Sequence, residues 1–355
     1  MSTVHVVLPA GVDDPARPSG GNVYDRRVCQ GLAAAGWQVD EHAAAGSWPW
    51  PDAAAEGALA RWVAGLADGA LLLVDGLVAS TVPAVLVPQA ERLRLVVLVH
   101  LPLGDGPPGL EVPDARTREG AVLTAARSVL TTSAWTRERL LTDYPLVPDQ
   151  VHAVTPGVDA ADLAAGTAAG GELLCVAAVT PLKGHDVLLA ALASLADLPW
   201  RCVCVGALDR DPAFVDQLRR QAEADAVDHR ICWCGPRTGV ELDQAYAGAD
   251  ALVLASHVET YGMVVTEALA RGLPVIASAV GGLPEALGCT LDGYRPGLLV
   301  TPGHPRALAA ALRGWLTDAD LRRDLRRVAQ ERRRTLAGWA TTTELVARLL
   351  AEVAA

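Results

Sequence analysis

Short apolar runs recur from one end of the chain to the other, and each gives way to a turn or to a segment with helical spacing. VHVVLPA (4–10), LLLVDG (71–76), RLVVLVH (94–100), SVLTTS (128–133) and VHAVTPG (151–157) form a first series. ELLCVAAV (172–179), RCVCVG (201–206), RICWCG (230–235), ALVLAS (251–256), PVIAS (274–278) and GLLV (297–300) form a second. Such alternation is the signature of βαβ units wound into parallel sheets with helices on both faces. At 355 residues the chain is too long for one ordinary core. The small, flexible stretch AADLAAGTAAGG (160–171) separates the two series. The expectation is α/β, with two Rossmann-like doubly wound domains at 1–160 and 172–338 and a linker at 161–171. PSGG (18–21) reads as a glycine turn, and Asn22 as the cap of a helix ending at Gly36. From about residue 304 the pattern is helical, and the arginine run LRRDLRRVAQERRR (321–334) reads as a solvated helix face.

The formal net charge is −11, which argues against nucleic acid or an anionic membrane as a bulk partner. MSTVHVVLPA lacks a charged n-region, and no run reaches the ~18 apolar residues of a spanning helix, so the expected location is cytoplasmic. Cys202 with Cys204, and Cys232 with Cys234, are spaced C-x-C, without the C-x-x-C or histidine partners of a zinc site. They read as buried reduced thiols. No G-x-G-x-x-G follows the first strand, which argues against a nicotinamide oxidoreductase.

Of thirty basic residues only Lys183, in VTPLKGHD, is a lysine. An ammonium is a compact point charge, suited to a single phosphate oxygen where a planar guanidinium is not. A solvated lysine spared by a compositional bias toward arginine is the other reading. In the second series, ALVLAS is followed by SHVETYGMVVTEALARGLPVIASAVGGLPEAL (256–287). A helix starting near Tyr261 and Gly262 would aim the unpaired amides of Gly262, Met263 and Val264 at a phosphate or sugar oxygen. Glu259 precedes that helix start and Glu267 follows it; the second could grip ribose hydroxyls. Either could equally be a capping or solvated glutamate.

Taken together, these motifs resemble the retaining glycosyltransferases of the GT-B fold, family 4, over nearly the whole chain and most closely from Val176 to Val300. The pair Glu259 and Glu267 matches that family's Glu-x7-Glu, Lys183–Gly184 its KG, Gly20–Gly21 its GG loop and TPGVD (155–159) its PNGVD. Trp339 stands where the family's last helix crosses back to the N-terminal domain, which implies that 339–355 joins the first domain. The resemblance implies two domains facing across a cleft, an acceptor on the first and a nucleotide sugar on the second. It implies no cofactor and no metal, with a UDP-, GDP- or dTDP-sugar as substrate. The donor-binding set is then Gly20, Gly21, Lys183, Arg210, Tyr261, Gly262, Met263, Val264 and Glu267. The catalytic set is His100, Glu259 and Lys183, His100 matching a family histidine near the transferred sugar.

One departure concerns the diphosphate. The family places an arginine five residues before the lysine, and here that residue is Ala178. Arg210 could replace the lost charge from the next strand end, or it could pair with Asp209 or Asp211. The D-x-D string of Asp209–Asp211 is not read as a metal site. The expected reaction is transfer of a sugar, with retention, to a hydroxyl acceptor, favoured as a soluble metabolite or glycan over a membrane lipid. A sugar-nucleotide-binding pseudo-transferase and a GT-B epimerase are the alternatives. The acceptor is expected on loops 11–21, 42–52 and 100–114, where SWPWPD (47–52) offers two tryptophans; oligomeric state is not legible.

Overall fold

A computed structural model of the protein describes residues 2–16, 18–104 and 112–355. The chain divides into two compact units. One comprises Met1–Asp13, Ser19–Gly157 and Ala337–Ala355, the other Asp14–Pro18 and Val158–Leu336.

In the first unit β1 (Thr3–Pro9), β2 (Gln38–Ala44), β3 (Leu71–Asp75), β4 (Arg94–Val99), β5 (Ser128–Thr131) and β6 (Val151–Ala153) lie parallel, in the order β2-β1-β3-β4-β5-β6. They are joined by α1 (Gly20–Ala34), α2 (Ala53–Ala64), α3 (Gly76–Ala79), α4 (Pro83–Leu86), α5 (Ala115–Ala125) and α6 (Ala134–Asp143). The strands are apolar without alternation because both faces are covered. Leu71 and Leu73 pack with Val28 and Leu32 of α1, whereas Leu72 and Val74 pack with Leu59 and Val63 of α2. Strand β2, QVDEHAA, is absent from the expected series. It is an edge strand whose side chains are mostly part-exposed, so it lacks the apolar run that marks the others.

Helix α1 begins three residues earlier than expected. Ser19, not Asn22, caps it, accepting from the Asn22 amide at 3.1 Å, so Gly20 and Gly21 form its first turn rather than a free turn before it. Gly36, at φ +88°, ends it, with the Trp37 amide donating back to the Leu32 carbonyl at 3.0 Å.

In the second unit β7 (Glu172–Val176), β8 (Arg201–Val205), β9 (Ile231–Gly235), β10 (Ala251–Leu254), β11 (Val275–Ser278) and β12 (Gly297–Val300) are again parallel, in the order β12-β11-β10-β7-β8-β9. Helices α7 (His185–Ala193), α8 (Pro212–Ala224), α9 (Gly239–Ala247), α10 (Met263–Ala270), α11 (Leu283–Leu287), α12 (Pro305–Thr317) and α13 (Ala319–Arg333) complete it. Each apolar run of the second series is a strand.

Residues 161–171, expected as a linker, are tied to this unit. Buried Asp250 accepts from the Thr167 hydroxyl at 2.6 Å and the Glu172 amide at 2.9 Å, and Trp315 Nε1 donates to the Gly170 carbonyl at 2.7 Å. The arginine run is only partly a solvated face. Arg326 pairs with Asp250 at 2.7 Å, Arg322 donates to the Trp315 carbonyl at 2.8 Å, and Arg333 donates to the Ala270 carbonyl at 2.7 Å. Arg323 and Arg327 do face solvent, paired within the helix to Asp320 and Glu331. A guanidinium reaches buried acceptors that helical spacing in the sequence cannot reveal.

Helix α14 (Trp339–Ala354) closes the chain within the first unit, burying Val346 and Leu350 against the sheet face that α1 also covers. Gly31 of α1 lets the two helices meet, since a Cβ there would lie 2.1 Å from the Thr343 hydroxyl. Of the cysteines, Cys29, Cys175, Cys202 and Cys204 are buried. Cys232 is exposed and Cys234 half-buried, contrary to expectation, because β9 is an edge strand. Among the described residues no helix is long and apolar enough to cross a membrane.

Candidate functional site

Strands β7 and β10 are neighbours, yet the chain leaves β7 toward β8 on one side and β10 toward β11 on the other. That is the switch point at which ligands sit beyond the carboxyl ends of parallel strands. Lys183 follows β7 and Glu259 follows β10, and their side chains meet there. Lys183 Nζ lies 2.7 Å from Glu259 Oε2, with the side chains 28% and 16% exposed.

Close backbone packing fixes both loops. The His257 amide donates to the Leu182 carbonyl at 2.8 Å, and a Cβ on Gly184, at φ +65°, would lie 2.1 Å from the Ala255 carbonyl. On the other flank the Gly282 amide donates to the Glu259 carbonyl at 3.0 Å, while a Cβ on Gly281, at φ +56°, would lie 1.7 Å from the same oxygen. The KG and VGG pairs are thus glycine because backbone occupies the space a side chain needs.

Gly262, at φ +92°, is the N-cap of α10, and no side chain caps the helix. The first-turn amides of Met263 and Val264 follow Glu259 closely in the chain. The Tyr261 side chain belongs to the core instead, so its backbone is what it offers to a ligand. Glu267 is held from behind, Oε2 accepting from the Tyr246 hydroxyl at 2.7 Å. Burial pushes its carboxyl above the usual range, against the opposing pull of Tyr246 and Arg271. Tyr246, fully buried under the Arg271 guanidinium at 4.5 Å, was not singled out from sequence. Arg210 is exposed in the loop after β8, and Asp211 is occupied capping α8 through the Phe214 amide at 3.0 Å. That loop runs beside the one bearing Ala178, the Val179 amide donating to the Ala207 carbonyl at 2.9 Å.

In the first unit, His100 follows β4 and faces the start of α1, where a Cβ on Gly21 would lie 3.3 Å from the imidazole. Gly20 precedes it in the same turn. His100 Nε2 lies 2.7 Å from Asp25 Oδ1 and 3.6 Å from Asp75 Oδ2. Burial would lower the histidine pKa, but Asp25 and then Asp75 outweigh it and raise it to about 9. Asp75 is pushed up by its own burial and then by Asp25. Neither acid was expected at the site. Their signals were present: Asp75 ends an apolar run, and Asp25 lies on the Val28, Cys29, Leu32 stripe of α1, where an acid is out of place.

The loop after His100 is clamped by buried Glu119, which accepts from the Leu103 and Gly104 amides at 3.0 and 2.8 Å and from Tyr144 and Ser80 hydroxyls at 2.5 and 3.0 Å. Residues 105–111 of the expected acceptor loop 100–114, and residue 17 of loop 11–21, lie outside the described residues. In loop 42–52, Trp48 is part-buried and donates to the Ala44 carbonyl at 3.0 Å, leaving Trp50 as the exposed indole.

The family described as "Glycosyl transferases group 1" matches residues 170–332, the span that carries the Lys183–Glu259 pair. D-inositol 3-phosphate glycosyltransferase 1 of Catenulispora acidiphila is 32% identical over 300 residues, covering 78% of this chain and 68% of that protein. The chain belongs to the group 1 glycosyltransferases. The D-inositol 3-phosphate glycosyltransferase of Corynebacterium glutamicum is 34% identical over 224 residues, 58% of this chain. This group 1 glycosyltransferase spans 53% of that relative's length and 60% of the Jonesia denitrificans one. Sucrose-phosphate synthase of Thermosynechococcus elongatus superposes with a TM-score of 0.80 at 22% identity over 99% of each chain. Anabaena HepE, solved in complex with UDP-glucose, gives 0.78 at 17% identity over 99% of this chain and 100% of its own. The fold is GT-B, with two six-stranded parallel sheets among the described residues.

Proposed function

We propose that this group 1 glycosyltransferase moves a sugar from a nucleoside-diphosphate sugar to a hydroxyl acceptor, with retention and without a metal. The Lys183–Glu259 pair at the switch point of the second sheet carries this reading. A bound diphosphate competes with Glu259 for the Lys183 ammonium. The α10 amides from Gly262 to Val264 supply preorganised dipoles to the same phosphates. Glu259, released, accepts hydrogen bonds from the sugar hydroxyls. Glu267, with Oε2 held by Tyr246, presents Oε1 to the ribose. As the bond from the anomeric carbon to the phosphate breaks, the acceptor oxygen bonds that carbon on the same face and its proton passes to the leaving phosphate.

UDP, GDP and dTDP sugars are all candidate donors. The UDP-glucose complex of HepE favours uridine, and the D-inositol 3-phosphate in the relatives' names favours a soluble polyol phosphate as acceptor. Nucleotide release measured from each sugar nucleotide, with and without a polyol phosphate, tests the reading. Acceptor-dependent release supports it. Acceptor-independent epimerisation, or binding without turnover, replaces it with the epimerase or the pseudo-transferase.

Arg210 stands in for the arginine missing at Ala178, from a loop hydrogen-bonded to the loop of Ala178. Arg210→Ala is expected to weaken donor binding about ten-fold, as for a charge-assisted contact of ~1.5 kcal/mol. Unchanged donor affinity by calorimetry assigns the phosphates to Lys183 and the α10 amides alone.

A further inference from the structure

The cluster of Asp25, Asp75 and His100 contains one unsolved problem of hydrogen bonding. Asp25 is 2% exposed and its Oδ1 accepts from His100 Nε2, but its Oδ2 is buried without a partner. Asp75, 5% exposed, accepts at Oδ1 from the Leu77 amide at 2.6 Å, and its Oδ2 lies 3.6 Å from His100 Nε2. One ligand atom from each of the three residues lies within 4.8 Å of the others. Around the acids the walls are apolar: Val6, Leu8, Val28, Leu73 and Leu98. Two carboxylates in such a pocket cannot both be ionised without cost, and an orphaned buried oxygen is itself costly. A single proton on Asp75 Oδ2, donated to Asp25 Oδ2, removes both penalties.

We propose that Asp25, Asp75 and His100 act as one proton-sharing triad, in which the two acids are positioning residues that hold His100 as an imidazolium with its Nδ1–H offered to a substrate oxygen. No described residue hydrogen-bonds Nδ1, and the side chain is 18% exposed. The other titratable neighbours stay neutral. Tyr24, edge-on to the imidazole at 5.3 Å, donates its hydroxyl to the Val154 carbonyl, and burial raises its pKa. Cys29, one turn beyond Asp25, is pushed up to about 12 by burial and then by Glu41 and Asp25. With one proton shared between the acids, the charge acting on the ring is that of the pair, Asp25 foremost, and it favours the cation.

The consequence for chemistry is a restriction. A ring already protonated cannot accept the proton of an acceptor hydroxyl, so His100 is a donor and not the general base. The partner it suits is an electron-rich oxygen, such as a sugar hydroxyl or phosphate. That substrate class rests on the transferase reading, whereas the protonation of the triad can be read without turnover.

The test is a histidine titration by NMR on the full chain, labelled with 15N-histidine and with His100 assigned by difference against His100→Gln. The expected midpoint for wild type is about 9. Asp25→Asn removes the carboxylate on Nε2, and the midpoint is expected to fall well below the wild-type value, because Asp75 alone then opposes burial. Asp75→Asn supplies an amide N–H to Asp25 Oδ2 in place of the shared proton, so the midpoint should stay near the wild-type value. The alkaline limb of kcat should move down with the histidine midpoint in Asp25→Asn and not in Asp75→Asn. A wild-type midpoint below 7, or equal falls in both variants, overturns the proposal. So does stoichiometric binding of Zn2+ or Mn2+ that bleaches or shifts the His100 signals, which would make the cluster a metal centre. The expected titration in a protein that never turns over a nucleotide sugar supports the triad and overturns the transferase reading instead.

Discussion

Glu259→Gln should cut turnover by about 100-fold while leaving affinity for the free nucleoside diphosphate unchanged or several-fold tighter. The substitution keeps shape and hydrogen-bonding capacity but removes the charge that now pairs with Lys183 at 2.7 Å. The freed ammonium then meets the diphosphate without a competing carboxylate. Sugar positioning loses its strongest acceptor, and misplacement of a reacting centre by about 1 Å is enough for a ~100-fold loss. The pattern is a fall in kcat without a rise in the nucleotide dissociation constant, the mark of an interaction used beyond ground-state nucleotide binding. Calorimetry with the nucleotide and a turnover assay with the sugar nucleotide separate the two quantities. Weaker nucleotide binding in the variant would place Glu259 on the nucleotide rather than the sugar.

The largest stability effect belongs to Glu119. Its fully buried carboxylate accepts from two backbone amides and two hydroxyls, so Glu119→Ala leaves four donors without a partner in a site that water does not reach. At ~1–3 kcal/mol for each unsatisfied buried group, and with incomplete additivity, a loss of ~4 kcal/mol is expected. For a unit of this size that lowers the melting midpoint by roughly 10 °C. Leu103 and Gly104 follow His100 directly, so the same change loosens the loop behind the triad, and activity should fall at temperatures where the variant is still folded. Denaturant unfolding of wild type and variant measures the difference. A change below ~1 kcal/mol would mean that relaxation or solvent replaces the clamp.

Both effects come from contacts that link distant parts of the chain, and these mark where the sequence stops being legible. The strands of the second unit could be read one by one because each is an apolar run, β7, β10 and β11 being buried on both faces. Lys183 and Glu259 could each be placed at a strand end, since position along a βαβ pattern fixes where a loop emerges. That they pair with each other depends on β7 lying beside β10, which the strand order decides and no local pattern records. Strand β2 failed the apolar test because one edge of a sheet is open to water. Asp25, Asp75 and Glu119 were passed over for the opposite reason. An isolated acid in a sequence reads as solvated until the fold shows that it is buried, and their meaning comes from partners 15 to 75 residues away. Arg322, Arg326 and Arg333 repeat the lesson, as helix-surface cations whose targets are carbonyls and a carboxylate of other elements.

Donor recognition at the Lys183 switch point is most directly tested by calorimetric titration of wild type and Lys183→Ala with UDP, GDP and dTDP. Wild type should bind at least one of them, and Lys183→Ala should bind that nucleotide about ten-fold or more weakly, a difference of ~1.4 kcal/mol or greater, with its melting midpoint little changed. Lys183→Arg should not restore the affinity, because the planar fork does not fit a position occupied by a point charge. Equal affinity in wild type and Lys183→Ala, or no nucleotide bound by wild type, would contradict the account.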